Sequence, residues 1–250
     1  MPNPYLAHAW ASSAERLAIA AAVTVGFAIM ARVLRGVNRS GAAAGGLASF
    51  ALFAGAGPTA FAALGALFVM TWGSTLVGYR RKAALGLAER RDGRNAGQIL
   101  ANLGVPALGS ALFSVTGNRG WLVAVLGALA EAATDTVASE IGQYRVTNAR
   151  MITTWERVPA GTDGGITLSG SVFGLAGGMV IAAVAAAGGM IPVSQFWILV
   201  VAGFMGMLFD SLLGATLQRR GWISNQAVNF FATLAAGALA FLIATLTNLG

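Results

Sequence analysis

Long runs almost free of charge govern what this chain can become. A helix needs roughly 20 mostly apolar residues to cross the hydrocarbon core of a bilayer. Eight such runs follow one another, near 17–34, 41–57, 58–78, 97–117, 121–142, 166–189, 194–217 and 226–248. The second is short, and the fourth opens on the polar GQILANLG. The fold expected is therefore all-α, a polytopic integral membrane helical bundle of about six to eight transmembrane helices, with eight as the best count. No linker or low-complexity tract divides the chain, so residues 1–250 read as a single transmembrane domain. A hydrophobic fraction of 56% against 10% charged residues excludes an ordinary soluble domain.

Arginine and lysine orient the bundle, because short cytoplasmic loops collect basic residues. If the first helix runs outside to inside, alternate ends carry Arg32, Arg35 and Arg39, then the six basic residues between Arg80 and Arg94. Next come Arg145, Arg150 and Arg157, then Arg219 and Arg220. Only Arg16 and Arg119 of the 16 basic residues fall on the other side. Both termini are thus expected outside, with loops 79–96 and 144–165 on the cytoplasmic face of a plasma (inner) membrane. The net charge of +7 reads as a topology signal and an attraction to anionic headgroups. No basic soluble domain exists to bind nucleic acid. Without cysteine the chain has no disulfide, thiolate nucleophile or cysteine metal site. The lone His8, beside Trp10, reads as a headgroup-level residue, and the first apolar run as a retained helix rather than a cleaved signal peptide.

Acidic residues stand out against this background. In AEAATDTVASEIGQ, Glu131, Asp135 and Glu140 interrupt a membrane helix, and Asp210 does so in FDSLLGATLQ. A carboxylate there costs about 2.5–3.5 kcal/mol even on lenient scales, so each needs a partner, a metal or a wet cavity. Glu131 and Asp135 share a helix face; Glu140 points away from it and is either a metal ligand or the partner of a nearby arginine such as Arg145 or Arg150. The two segments echo each other, pairing Asp135 with Asp210, Thr136 with Ser211, Gln143 with Gln218 and Arg145 with Arg220. Glu131, Asp135, Glu140 and Asp210 are the candidate metal ligands, and magnesium suits them because it takes few carboxylate oxygens and shares substrate phosphates.

Several polar groups on the same side suit phosphate. In VPAGTDGGIT, Gly161, Gly164 and Gly165 would let backbone amides converge on an anion, with equal room for a plain glycine turn. Lys82 and Arg94 offer donors, or serve only as positive-inside residues. Gln98 with Asn102, and Asn225 with Asn229, place amides one turn apart, as ligand contacts or as interhelical glue. GAAAGG, GLAGG and GFMG read as packing seams, and such faces leave room for a homodimer.

Taken in order, AEAATDTVASEIGQ, VPAGTDGGITLSGSVFG, FDSLLGATLQ and NQAVNF, with NRSGAAAGG and RNAGQILANLG, resemble the signature segments of one membrane family. It contains the plant and cyanobacterial phytyl-phosphate kinases and human transmembrane protein nineteen. The resemblance spans residues 38 to about 232. It implies a magnesium-dependent phosphotransferase moving the terminal phosphate of CTP to an isoprenyl monophosphate, with phytyl diphosphate for vitamin E side chains as an example product. It also implies roles: Asp135, with Glu131 or Glu140, and Asp210 for Mg2+; Gly161, Thr162, Gly164 and Gly165 for phosphate. Lys82 and Arg94 would offset charge on the transferred group, and Gln98, Asn102, Asn225 and Asn229 would orient nucleotide or acceptor. Asp163 departs from the asparagine expected in that loop, and is either a ligand or turned away. A polyprenol kinase or related CTP-dependent lipid enzyme is the alternative of the same class. A small-solute transporter is the rival of another class, since intramembrane acids and glycine-broken helices also belong to transporters.

Overall fold

The computed structural model describes residues 13–145 and 148–247. His8, Trp10 and the side chain of Arg145 lie outside what is described. Backbone groups within a bilayer must bond internally, and helices do so. The chain forms α1 (Ser13–Val33), α2 (Arg39–Ala51, prolonged by a π turn, Leu52–Ala56), α3 (Pro58–Leu76), α4 (Tyr79–Ala84), α5 (Ala96–Thr116) and α6 (Gly120–Arg145). After a small sheet come α7 (Leu168–Ala187), α8 (Phe196–Leu213, prolonged by a π turn, Gly214–Gln218) and α9 (Asn225–Leu246). Among the described residues, seven helices are long and apolar enough to cross a membrane.

The exception is α2, whose 13 residues are too few alone. The π turn adds 5, and at 1.5 Å per residue the whole reaches about 27 Å. Its start lies at Arg94, whose carbonyl accepts from the Asn38 amide at 2.9 Å, and its end packs Gly55 against Ser110 near the far end of α5. Pro58 at the first position of α3 then turns the chain back. Together, α2 and its π turn nearly match the 19 residues of α3 in length.

At the centre stands α6, packed by α3, α5, α7, α8 and α9. Leu126, Ala128, Leu129 and Ala130 are wholly buried. Lipid tails are as apolar as leucine, so helices associate here through close packing of small residues. A Cβ on Gly174 of α7 would stand 2.6 Å from the Thr134 carbonyl oxygen, and one on Gly203 of α8 would stand 2.9 Å from the Ala130 carbonyl carbon. GLAGG and GFMG thus serve as packing seams.

Between α6 and α7 the chain forms β1 (Asn148–Met151), β2 (Arg157–Pro159) and β3 (Gly165–Ile166), antiparallel in the order β2-β1-β3. Ala149 faces Val158 across one pair, and Met151 faces Gly165 across the other. An ordered turn was legible here from its Pro, Gly and Asp; the sheet was not, because its strands are only 2–4 residues long. Gly164, at φ +77°, seats this loop on the π turn of α8, where any side chain would run into Ala215.

The packing seam can be tested by sign. A methyl group added at Gly65 of α3 would have nothing within 4 Å, so Gly65→Ala should leave the apparent Tm in detergent unchanged or raised by helix propensity. Gly174→Ala should destabilise by about 1–3 kcal/mol through overpacking, seen as a lower Tm.

Candidate functional site

A cavity of about 400 Å³ opens at the arginine-rich end of the bundle. That volume is within the range of small-molecule sites. Asp135 reaches it from α6 and Asp210 from α8. The two are electrostatic neighbours, and Asp210 Oδ2 is buried with no hydrogen-bond donor from the protein. Two like charges, one with a bare oxygen, form a pair that a hydrated divalent cation would satisfy.

The echoed residues meet here too: Thr136 and Gln143 from α6, Ser211 and Gln218 from α8. On a regular helix Gln218 would lie about 80° round from Asp210. The π turn underwinds α8 over Gly214–Gln218 and returns Gln218 to the cavity face. Of the last echoed pair, Arg220 stacks over Trp222 at 5.2 Å, and the Arg145 side chain lies outside the described residues.

Three helices begin at the cavity. Gln98 of α5, Thr167 and Gly170 of α7, and Asn225 of α9 all line it. Each helix has a side-chain cap on one first-turn amide, from Asn95, Thr167 and Ser224 respectively. The remaining first-turn amides and the helix dipoles favour an anion at this wall. A cation-seeking pair of aspartates thus shares the cavity with anion-seeking helix N-termini.

Four carboxylates do not gather into one metal site. Among the described residues there is no group of three or more His, Asp or Glu placed to hold a metal. Glu131 lies one turn deeper on α6, 1% exposed, beneath Gly206 of α8 and outside the cavity lining, with Oε2 unpartnered. Glu140 is turned towards α3 and α4. Thr75 Oγ1 donates to its Oε1 at 2.8 Å, Arg94 Nη2 stands 3.6 Å from the same oxygen, and Lys82 forms an ion pair with Oε2. Glu140 is a partner of basic groups, through Lys82 and Arg94.

Lys82 likewise departs from the expectation that it faces a transferred phosphoryl group. It is fully buried and absent from the cavity lining. Besides Glu140, its ammonium donates to the carbonyls of Ser74 at 3.2 Å and Thr75 at 3.0 Å, which caps the last turn of α3. Three donors meet three acceptors, so none remains for a ligand.

Arg94 does line the cavity. Its amide donates to Gly36 O at 3.1 Å and its carbonyl accepts from Asn38, which pins its backbone to the α1–α2 turn. Its guanidinium donates to Thr75 Oγ1 at 3.3 Å and stands 3.7 Å from Glu89. Gln98 closes the ring: Oε1 accepts from the Asn95 amide, and Nε2 donates to Glu89 at 2.9 Å. Both ends of that amide are therefore engaged. Asn102 donates to Gln98 O at 3.1 Å, and with Asn225 and Asn229 it lines the cavity. Glu89 and Thr75 were not singled out from sequence. The signal for Glu89 was faint, a lone acid beside Arg90 and Arg91.

Residues Gly161 to Gly165 all border the cavity, but their glycines serve the turn more than an anion nest. The Thr162 amide donates to Pro159 O and the Gly165 amide to Thr162 O, at 3.2 and 2.8 Å. Gly161 and Gly164 hold positive φ, where side chains would also strike Leu87 and Ala215. Partial burial holds the Asp163 carboxyl above the ordinary value of 3.8, with Arg219 pulling the other way. Asp163 also faces Asp210 electrostatically.

Two outcomes follow from these contacts. Lys82→Met leaves Glu140 short of its main partner and should cost about 3 kcal/mol; adding Glu140→Leu should recover most of the lost Tm, as replacing a whole buried pair does. For Asp163, a raised folded pKa means the native state is disfavoured once the carboxyl ionises. Asp163→Asn should therefore raise Tm at pH 7, and the gain should vanish as pH falls to 3.8 and below, where both states are protonated.

Comparison with known proteins adds a family. The chain is 33% identical over 171 residues to an uncharacterized membrane protein of Synechocystis, covering 66% of each. It is 29% identical over 231 residues to an uncharacterized membrane protein of Methanocaldococcus jannaschii, covering 91% of this chain and 94% of that one. It is 30% identical over 210 residues to the chloroplastic protein VTE6 of Arabidopsis thaliana, covering 79% of this chain. The chain spans 62% of VTE6. No solved structure matches. A family profile covers residues 22–237, and the chain belongs to the integral membrane protein family DUF92.

Proposed function

We propose that this protein is a phosphotransferase that moves the terminal phosphate of a nucleoside triphosphate, CTP by resemblance, onto an isoprenyl monophosphate at the cytoplasmic face of its membrane. One observation carries the reading: Asp135 and Asp210, from two different helices, line a single polar cavity at which three helix N-termini also begin. The resemblance of the signature segments to membrane phytyl-phosphate kinases supports it. Both signs of charge are catered for in one space, as a metal–triphosphate needs and a neutral solute does not.

Mg2+ fits the donor set: two carboxylates, one with an unsatisfied buried oxygen, suit an ion that keeps waters and shares substrate phosphates. When bound between Asp135 and Asp210 it supplies charge neutralisation for the triphosphate. The protein's own part is positioning and electrostatics, which is most of what phosphoryl transfer asks. First-turn amides of α7 and α9 would take phosphate oxygens, and Asn225 and Asn229 would orient the nucleotide or the acceptor head. Arg94, in the cavity lining and with its guanidinium steadied by Thr75, Glu89 and Glu140, would direct its remaining donors to the acceptor phosphate. An oxygen of that phosphate bonds to the γ-phosphorus as the bridge to the β-phosphate breaks, giving a prenyl diphosphate and the nucleoside diphosphate. The acceptor is already an anion, so no general base is required.

The test is transfer of label from γ-labelled CTP, with Mg2+, to a panel of prenyl monophosphates and free prenols, read by thin-layer separation. A labelled prenyl diphosphate is expected; label in a monophosphate would make the protein a prenol kinase. Asp135→Asn and Asp210→Asn should each lower turnover at least 10³-fold, on the order of 4 kcal/mol, with Tm unchanged or raised because like charge is removed. Full activity in both variants would remove the metal site, and no labelled lipid with any triphosphate would overturn the enzyme.

A further inference from the structure

Beside the polar cavity runs an apolar groove, between α1, α2, α3 and α5 with α6 behind it. Phe27, Phe68 and Trp72 wall it, and Ala31, Ala42 and Gly45 form its floor. Its volume is about 80 Å³. Three residues, Arg94, Asn102 and Thr136, line both the groove and the cavity. The two spaces thus adjoin at three polar side chains, which would stand beside the joint of a molecule with an anionic end in the cavity and an apolar end in the groove.

The groove's lining on α3 runs from Leu64 to Trp72, about 12 Å along the helix axis. Trp72 marks the end near Arg94, since its Nε1 donates at 3.1 Å to the carbonyl of Leu34, in the turn that also pins Arg94. Leu64 lies towards the middle of the bundle. At about 80 Å³ the space is too small for two chains side by side, and too short for a whole long one.

We infer that this groove holds the head-proximal part of the acceptor's single isoprenoid chain, with its phosphate at the Arg94–Asn102–Thr136 junction. The inference rests on the phosphotransferase reading and adds the acceptor subsite to it. The occupant is a single-chain prenyl phosphate because a volume of about 80 Å³ admits only one chain, the junction residues supply a cation and an amide, and glycine and alanine leave niches for branching methyls. Beyond about 12 Å the tail lies in lipid, so the site selects for width and branching near the head and is indifferent to total length.

Gly45 gives the variant. A Cβ there would meet only Ile99 Cγ2, at 3.9 Å, so alanine fits at this position, and a leucine would extend further into the space that Gly45 lines. The first measurement is photo-crosslinking of the wild-type protein in detergent with a phytyl monophosphate analogue carrying a diazirine near its head, mapped by mass spectrometry. Adducts are expected on Phe27 and Phe68, removed by phytyl monophosphate and retained with inorganic phosphate, phytol or phosphatidic acid. Gly45→Leu should cut these adducts at least tenfold, and Gly45→Ala less. In the transfer assay Gly45→Leu should raise KM for phytyl monophosphate at least tenfold while leaving kcat and the KM for CTP within twofold, and should spare isopentenyl monophosphate.

Adducts confined to lipid-facing residues such as Val25 and Ile29, or competition by phosphatidic acid in place of the prenyl phosphate, would overturn the subsite. Phosphoryl transfer untouched by Gly45→Leu would sink the groove and leave the enzyme standing. Groove labelling by the prenyl phosphate with no transfer from any triphosphate would do the reverse.

Discussion

Helices can close around α6 only where their own side chains are small or missing. In a bilayer there is no hydrophobic gain from joining two helices, so attraction depends on backbones coming close enough for dense van der Waals contact. Gly174 and Gly203 allow that approach from two sides, and Gly206 allows it directly over Glu131. Fixing α6 fixes Asp135, and fixing α8 against it fixes Asp210. The distance between the two aspartates is thus inherited from a seam of small residues a turn or more deeper in the bundle.

A second layer of order sits at the arginine-rich end and is polar. Lys82 closes the frayed end of α3 and holds Glu140, which stands beside Arg94, and Arg94 is tied to the α1–α2 turn through its backbone. The loop that topology alone would leave as a run of solvated cations is instead a brace. Arg94 lines the cavity from this brace, together with Leu87, Ala88 and Glu89.

The helices were legible because an apolar run of membrane length is a coarse, strong signal: 58–78 became Pro58–Leu76, and 166–189 became Leu168–Ala187. The cavity was legible for the same reason in reverse, since Asp135, Asn102 and Asp210 have few other reasons to lie in apolar helices. Pairing was not legible. Lys82 and Glu140 are 58 residues apart, and nothing in either local sequence says that Lys82 turns inward while its neighbours Arg80 and Arg81 stay exposed. The glycines of GTDGG could not separate a tight turn from an anion nest, because both demand the same residues, and the amides of Thr162 and Gly165 are the two that the turn engages. The π turn of α8 also has no sequence mark, yet it decides where Gln218 faces.

The small sheet between α6 and α7 has a consequence for whatever enters the cavity. With β1 bonded on both edges and Gly164 seated on α8, the rim from Gly161 to Ile166 is held by the protein's own contacts. The entropy of fixing that segment belongs to folding. A ligand at this rim would therefore fill a fixed mould, with selectivity set by shape, quite unlike the folding of a flexible lid around its cargo.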